Sequence, residues 1–427
     1  MKLIAAAGLL AGGLSGLASA NTVDHVYIAG APAYRQDSIK TIDAVVATFS
    51  GAGETASTSG TTDHSNASAV QWYIPNYTTG VDLEVNATFT GSSAGIESVA
   101  AGNITQKFIT DGTGTVASPV IGQTAGTAYQ PDFTLSDTFQ ATTPFNGTVH
   151  QRTGASTFVN YTYAALDSTL LGIEPYRFLG SQGLAAKGVT NITTSQAQLL
   201  FTKGRLPLAF FTGNSADETS FVYGLTRDPG SGARLILQAE TGIGVKTLLK
   251  TYKPTVTGGV TDAGGNNVDG SITDSAYNPN TGAGGPPLYP AGVIASTGVY
   301  DPNAGDTGYP KFGTTDTSGL LSAITAIPTD THAYYISYFN TADATEAKAH
   351  GGEELTYNGV TFSQNAVSEG LYTFWSYEQI FLSPTISGNK LSFANAVTAA
   401  FPALSVSPLS GVNVSRTVDG GPITTLY

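Results

Sequence analysis

Arg227, Ser231 and Gly232 have the residue types and spacing of an oxyanion cradle. The glycines and proline of residues 228–232 make a tight turn. The apolar run Leu235, Ile236 and Leu237 behind it can open a helix. Ser231 stands at the cap position. A helix start leaves backbone N–H groups unpaired, with the positive end of the helix dipole behind them. Such a start takes anions, and Gly232 lets a ligand approach the backbone. Arg227, four residues earlier, adds a permanent charge with a forked donor pattern. The competing reading is a capped helix with a surface arginine, because short Gly/Ser motifs recur freely.

Two further turns have the same build. Residues 23–28 read as a strand, and residues 29–33, with Ala31, Pro32 and Ala33, turn it into a helix. Pro32 suits the first helical position. Ile39, Ile42, Val45, Val46 and Phe49 then recur at helical spacing. Leu83, Val85, Ala87 and Phe89 alternate as a strand. Residues 90–95 carry Gly91, Ser92 and Ser93, and a helix follows to Gly102. Residues 131–137 are a short strand ending in the carboxylate of Asp137. Thr193 and Gln196 make a capping box for a helix stopped by Gly204. Strands alternating with helices predict an α/β fold with a largely parallel sheet, and ligands of such sheets sit where strands turn into helices.

Composition narrows the function. The chain has 427 residues, no cysteine, 18 Lys+Arg against 31 Asp+Glu, and a net charge of −13. Disulfides, thiolate metal sites, a cysteine nucleophile and a lipid-modified N-terminal cysteine are excluded. Basic residues form no run, so nucleic acid is not an expected partner. Residues 1–20 read as a secretory leader ending in an Ala-x-Ala pattern, with no later transmembrane run, so a periplasmic or secreted protein is expected. Residues 257–287 and 300–317 read as exposed, low-complexity insertions with few core contacts. Asp262, Asn266, Asp269, Asp301, Asn303 and Asp306 lack EF-hand spacing, so solvated loop is preferred to a calcium site. The histidines are scattered without ligand spacing, so no metal site is expected. Glu353 and Glu354 have no partner carboxylate, and no nucleophile–base pair is evident, so no catalytic residue is assigned. Arg35, one turn into the first helix, reads as solvated, and the C-terminal tail as polar.

The turns at 29–33, 91–95 and 229–233, in this order, resemble the phosphate-binding proteins of phosphate ABC transporters and their wider periplasmic substrate-binding superfamily. Arg227-x-x-x-Ser231-Gly232-Ala233 is similar to that family's Arg-x-x-x-Ser-Gly-Thr loop. Residues 90–95 are similar to its second loop, in which the first serine of a pair, here Ser92, binds phosphate. Residues 132–137 resemble its Asp-Phe-x-x-Ser-Asp segment, whose last aspartate, here Asp137, accepts the proton of bound phosphate. The resemblance implies a type II, two-lobed periplasmic-binding-protein-like α/β fold with the ligand in the interlobe cleft. Residues 21–165 and 370–427 would form one lobe and 175–335 the other, without one sheet running through both. It implies a monomeric, non-enzymatic solute-binding protein without a cofactor, taking phosphate or a similar oxyanion and serving a membrane ABC permease. The expected ligand-binding residues are Ala31, Pro32, Ala33, Ser92, Asp137, Arg227, Ser231, Gly232 and Ala233. The sequence departs from the family at Pro32, where a hydroxyl residue is usual, and at Ala233, where a threonine is. Each missing donor to a charged group removes about 1.5–3 kcal/mol, so the two together weaken phosphate binding roughly a hundredfold or more. A scaffold that keeps the fold without a ligand is the alternative; a phosphate-ester hydrolase ranks behind both.

Overall fold

The computed structural model describes residues 21–60, 62–110, 114–152, 158–228, 230–247, 249–262, 265–289, 317–328, 332–403, 405 and 407–426. The expected leader (1–20) and residues 300–316 of the second insertion lie outside the described residues.

Three strands create the first edge of the site. Thr22–Gly30 runs parallel to Val81–Thr88, with Val26 opposite Val85, and parallel to Phe133–Ser136, with Ala29 opposite Thr134. Parallel pairing brings three carboxyl ends to one edge, where Gly30 leads to the turn at 31–34, Thr88 to Ser92, and Ser136 to Asp137. Helices Arg35–Val46 and Ser92–Ala101 follow the first two. Pro32 does not open the first helix; Tyr34 is its cap, and the Arg35 N–H donates back to Pro32 O at 3.4 Å. Gly91 caps the second helix with φ +129°, a conformation that suits glycine, and Gly102 closes it in the left-handed region.

The sheet is mixed rather than largely parallel. Its hydrogen bonding also does not break between the expected lobes: among the described residues, eleven strands form one continuous path, with a twelfth on its flank. Continuity runs through the long strand Ser168–Gly180. Its residues 168–175 pair antiparallel with Trp375–Leu382, and residues 176–180 pair antiparallel with Ala333–Asn340.

The division lies in the cores instead. Val26, Ile28, Ile42, Trp72, Val85, Phe133, Leu171, Ile380, Phe393 and Val397 pack as one cluster. Ile173, Tyr176, Phe178, Phe201, Ile236, Ile336, Tyr338, Phe374, Trp375 and Tyr377 pack as another. Both crossing strands change core within a few residues, at Leu171/Ile173 and at Tyr377/Ile380. The segment expected wholly in the first lobe is therefore shared: Tyr372, Phe374, Trp375, Tyr377 and Val414 join the second core. The tail is partly buried. Arg416 Nη1 donates to Trp375 O at 3.1 Å, and Asp419 Oδ2 accepts from Thr138 Oγ1 at 2.6 Å.

The insertion at 257–287 is not a structureless loop. Val256–Thr257 pairs with Ser271–Ile272, and Val260–Thr261 with Asn267–Val268. Val268 and Ile272 are buried against Leu320, Leu321 and Ile324. Two apolar residues in a polar stretch suffice to anchor nested hairpins. Asp262 accepts from the Asn266 backbone and side chain within its own turn, and no cluster of metal-ligating side chains occurs among the described residues.

His64 fastens the first helix to the sheet edge. Its Nε2 lies 2.9 Å from Asp43 Oδ2 and its Nδ1 bonds Glu54, while Trp72 Nε1 donates to the other Asp43 oxygen at 2.8 Å. The two carboxylates push the imidazole pKa up to about 10. The raised folded pKa means that this stabilisation is complete below about 6.5 and is lost as pH rises through about 10. His64→Gln is therefore expected to lower the thermal midpoint at pH 6 and to flatten its decline between pH 7 and 10, read by calorimetric melting across that range.

Candidate functional site

The turns that open helices Ser92–Ala101 and Gly232–Glu240 touch directly. Ser93 N–H donates to Gly230 O at 3.2 Å, and a Cβ on Gly91 would overlap that same carbonyl. Behind the contact lies Asp137, 1 % exposed. Ser92 Oγ donates to its Oδ1, and the Asp137 N–H donates back to Ser92 Oγ at 3.2 Å. Tyr176 donates to Oδ2 at 2.5 Å. Gly232 presses on the same carboxylate, so that a Cβ there would collide with Asp137 Oδ1 and Ser92. Burial raises the Asp137 pKa, opposed by Ser92, Tyr176 and the charge of Arg227. A carboxyl so placed is poised to hold or exchange a proton.

The arginine turn is fixed from both sides. Thr226 N–H donates to Thr251 Oγ1 at 3.0 Å, and Asp228 Oδ1 accepts from Gly230 N–H at 2.8 Å. Arg227 N–H meets the Tyr338 hydroxyl at 3.3 Å, and its Nη2 lies 3.4 Å from Asp228 Oδ2. Ser231 is the N-cap and is buried, but its side chain makes no capping bond. Arg227, Ala33, Tyr176, Ala233, Tyr338, Asn340 and Asp343 surround a small cavity of about 10 Å³, the room of one water.

Ser92, Asp137, Gly232 and Ser231 thus converge, with Arg227 and Ala233 beside them at the cavity. The first turn contributes less than expected. The Ala31 N–H is occupied by Leu135 O at 2.9 Å, Pro32 has no N–H, and neither lines the cavity; only Ala33 does. The Ala33 carbonyl accepts from Asn340 Nδ2 at 2.6 Å, a direct tie between two distant parts of the chain.

Five participants escaped the sequence reading. Tyr176 lies on the strand Ser168–Gly180 and Tyr338 on Ala333–Asn340. Asn340 caps the helix Thr341–Ala349 by accepting from Asp343 N–H at 2.7 Å, and the Asn-x-x-Asp spacing was the available signal. Burial pushes Asp343 up to about 6, against the opposing charges of Arg35 and Arg227. Arg35, expected in solvent, belongs to this charge group: burial lowers its pKa and Asp343 raises it. Further back, Glu174 and Glu378 on the crossing strands are buried, and desolvation drives both well above the carboxylate range. None of the five histidines is among the cavity residues.

Neither a protein-family model nor a curated protein matches the chain. Solved structures do. The chain is similar to an ABC-type phosphate transport receptor from Vibrio cholerae, at 10 % identity, covering 89 % of this chain and 96 % of that one, with a TM-score of 0.40. It is similar to a putative phosphate ABC transporter substrate-binding protein with bound phosphate from Clostridium perfringens, at 12 % identity, 89 % and 97 % coverage and a TM-score of 0.41. A third is PstS from Borrelia burgdorferi, at 10 % identity, 89 % and 95 % coverage and a TM-score of 0.37. No helix among the described residues is long and apolar enough to cross a membrane.

Gly232→Ala tests the convergence. The methyl has no space without displacing Asp137 or Ser92, so about 1–3 kcal/mol of destabilisation is expected, measured by denaturant unfolding. A variant as stable as the native chain would mean that the two turns do not meet this closely.

Proposed function

We propose that the chain is an exported, non-enzymatic solute-binding protein, a divergent relative of the phosphate-binding proteins of ABC transporters, that closes two lobes on a small oxyanion. In this reading the first lobe comprises residues 21–165 together with the return from about 378 through the helix Gly388–Ala400. The second comprises residues 173–377 and the strand near Val414. The observation that carries the proposal is Asp137, a buried carboxylate facing a helix start and the charge of Arg227 across the interface. A carboxylate beside an anion is repulsive unless one of the two carries a proton. The pairing therefore favours a protonated oxyanion such as hydrogen phosphate and disfavours sulfate. Ser92, the N–H groups of Gly232 and Ala233, and the Arg227 fork supply the donors, with Ser231 at the helix cap. An ABC permease would be the partner of such a protein.

One observation favours the alternative, a scaffold that keeps the fold without a ligand. Ser92 and Tyr176 already satisfy Asp137, and the adjoining cavity holds about one water. Binding would require the lobes to part and these bonds to exchange for bonds to the anion.

Calorimetric titration with phosphate, sulfate and small organic anions separates the two readings. Phosphate is expected to bind and sulfate to bind more weakly. Arg227→Ala is expected to weaken phosphate binding by about 1.5–3 kcal/mol, tenfold or more. Asp137→Asn is expected to narrow the preference for phosphate over sulfate. Absence of heat with every anion would leave the scaffold reading in its place.

A further inference from the structure

Arg234 is the cation in this region whose placement is hardest to account for without a ligand. It lies in the first turn of the helix Gly232–Glu240, one residue beyond Ala233, and is 2 % exposed. Among the described residues, its Nε and Nη2 are buried and make no hydrogen bond. Three costs coincide there. A guanidinium does not shed its proton to escape burial. Buried donors without acceptors lose their hydration without compensation. A cation at a helix N-terminus also opposes the helix dipole. The neighbouring arginines differ: Arg227 has Asp228 at 3.4 Å, and Arg35 faces Asp343. Arg234 and Arg227 both act on the Tyr338 hydroxyl, and Tyr338 lines the interlobe cavity.

We propose that Arg234 is the affinity-determining cation of the cleft, an uncompensated guanidinium behind Tyr338 whose charge is neutralised when a tetrahedral oxyanion enters. This rests on the solute-binding reading and adds a residue to it. With Arg227 opposite Asp228, the surplus positive charge that draws the anion is that of Arg234, and Arg227 serves to orient it. Arg234 also offsets the donors absent at Pro32 and Ala233. The residue trades stability of the empty protein for binding of the anion.

The test uses the full chain and inorganic phosphate, with calorimetric titration and thermal melting with and without phosphate, for the native protein, Arg234→Met and Arg234→Lys. Arg234→Met is expected to bind phosphate at least tenfold more weakly. It should also lose the phosphate-induced rise in midpoint and melt, when empty, no lower than the native protein. Arg234→Lys is expected to keep affinity within a few-fold. If Arg234→Met does not fold, Arg234→Gln is read by the same two measurements. Native affinity in Arg234→Met, or a lower empty midpoint with affinity unchanged, overturns this inference and leaves the solute-binding reading standing. A native chain that gives no heat with phosphate overturns this inference, and one that gives none with phosphate, sulfate or the small organic anions ends both.

Discussion

The burial of the Asp137 carboxylate is the constraint from which the rest of the site follows. An ionised carboxylate taken out of water is costly unless hydrogen-bonded or opposed by positive charge. Here Ser92 supplies a bond from the start of one helix, Tyr176 from the crossing strand, and Arg227 a charge from the turn before a second helix. Each comes from a separate stretch of chain, so one side chain enforces the meeting of three elements. Gly232 is required because the carboxylate lies against its Cα with no space for a Cβ.

The surrounding electrostatics keep this arrangement from being overwhelmed by negative charge. The chain is acidic, with a net charge of −13. Burial nevertheless drives Glu174 and Glu378 toward their neutral forms, and it raises Asp343 to about 6 against the charges of Arg35 and Arg227. The interior behind the cleft is thus rich in carboxyl groups without a matching density of charge. Local guanidinium groups and helix starts can then set the sign of the potential, a short-range effect that the overall charge does not decide.

Much of the site was legible in the sequence, because its turns are local. Gly91, Ser92, Ser231 and Gly232 announce themselves by glycine and hydroxyl residues just before helical spacing, and Asp137 by its place at the end of an apolar strand. What escaped depends on contacts distant in sequence. Tyr176 and Tyr338 look like any strand aromatic until their hydroxyls meet Asp137 and Arg227. Arg35 looks solvated until Asp343, some three hundred residues later, comes to face it. Val268 and Ile272 are too few to betray hairpins in a Gly/Asn/Thr-rich stretch, yet enough to dock them. Ala31 carries the right local position for a ligand contact and fails because its N–H is claimed by Leu135 O. The shared sheet escaped because pairing partners of Ser168–Gly180 lie on both sides of the expected division.

That shared strand determines what kind of motion is open to the two halves. Strand pairing runs from one core to the other along Ser168–Gly180, with one slip in register between Leu170 and Gly172, just where the side chains change core. Sliding the halves apart would break the ladder. At the slip Gly172 has no side chain, and Glu378, Ser405 and Ser407 pack against it. The relation between the two cores is therefore fixed by backbone pairing along this strand as well as by the surfaces that meet.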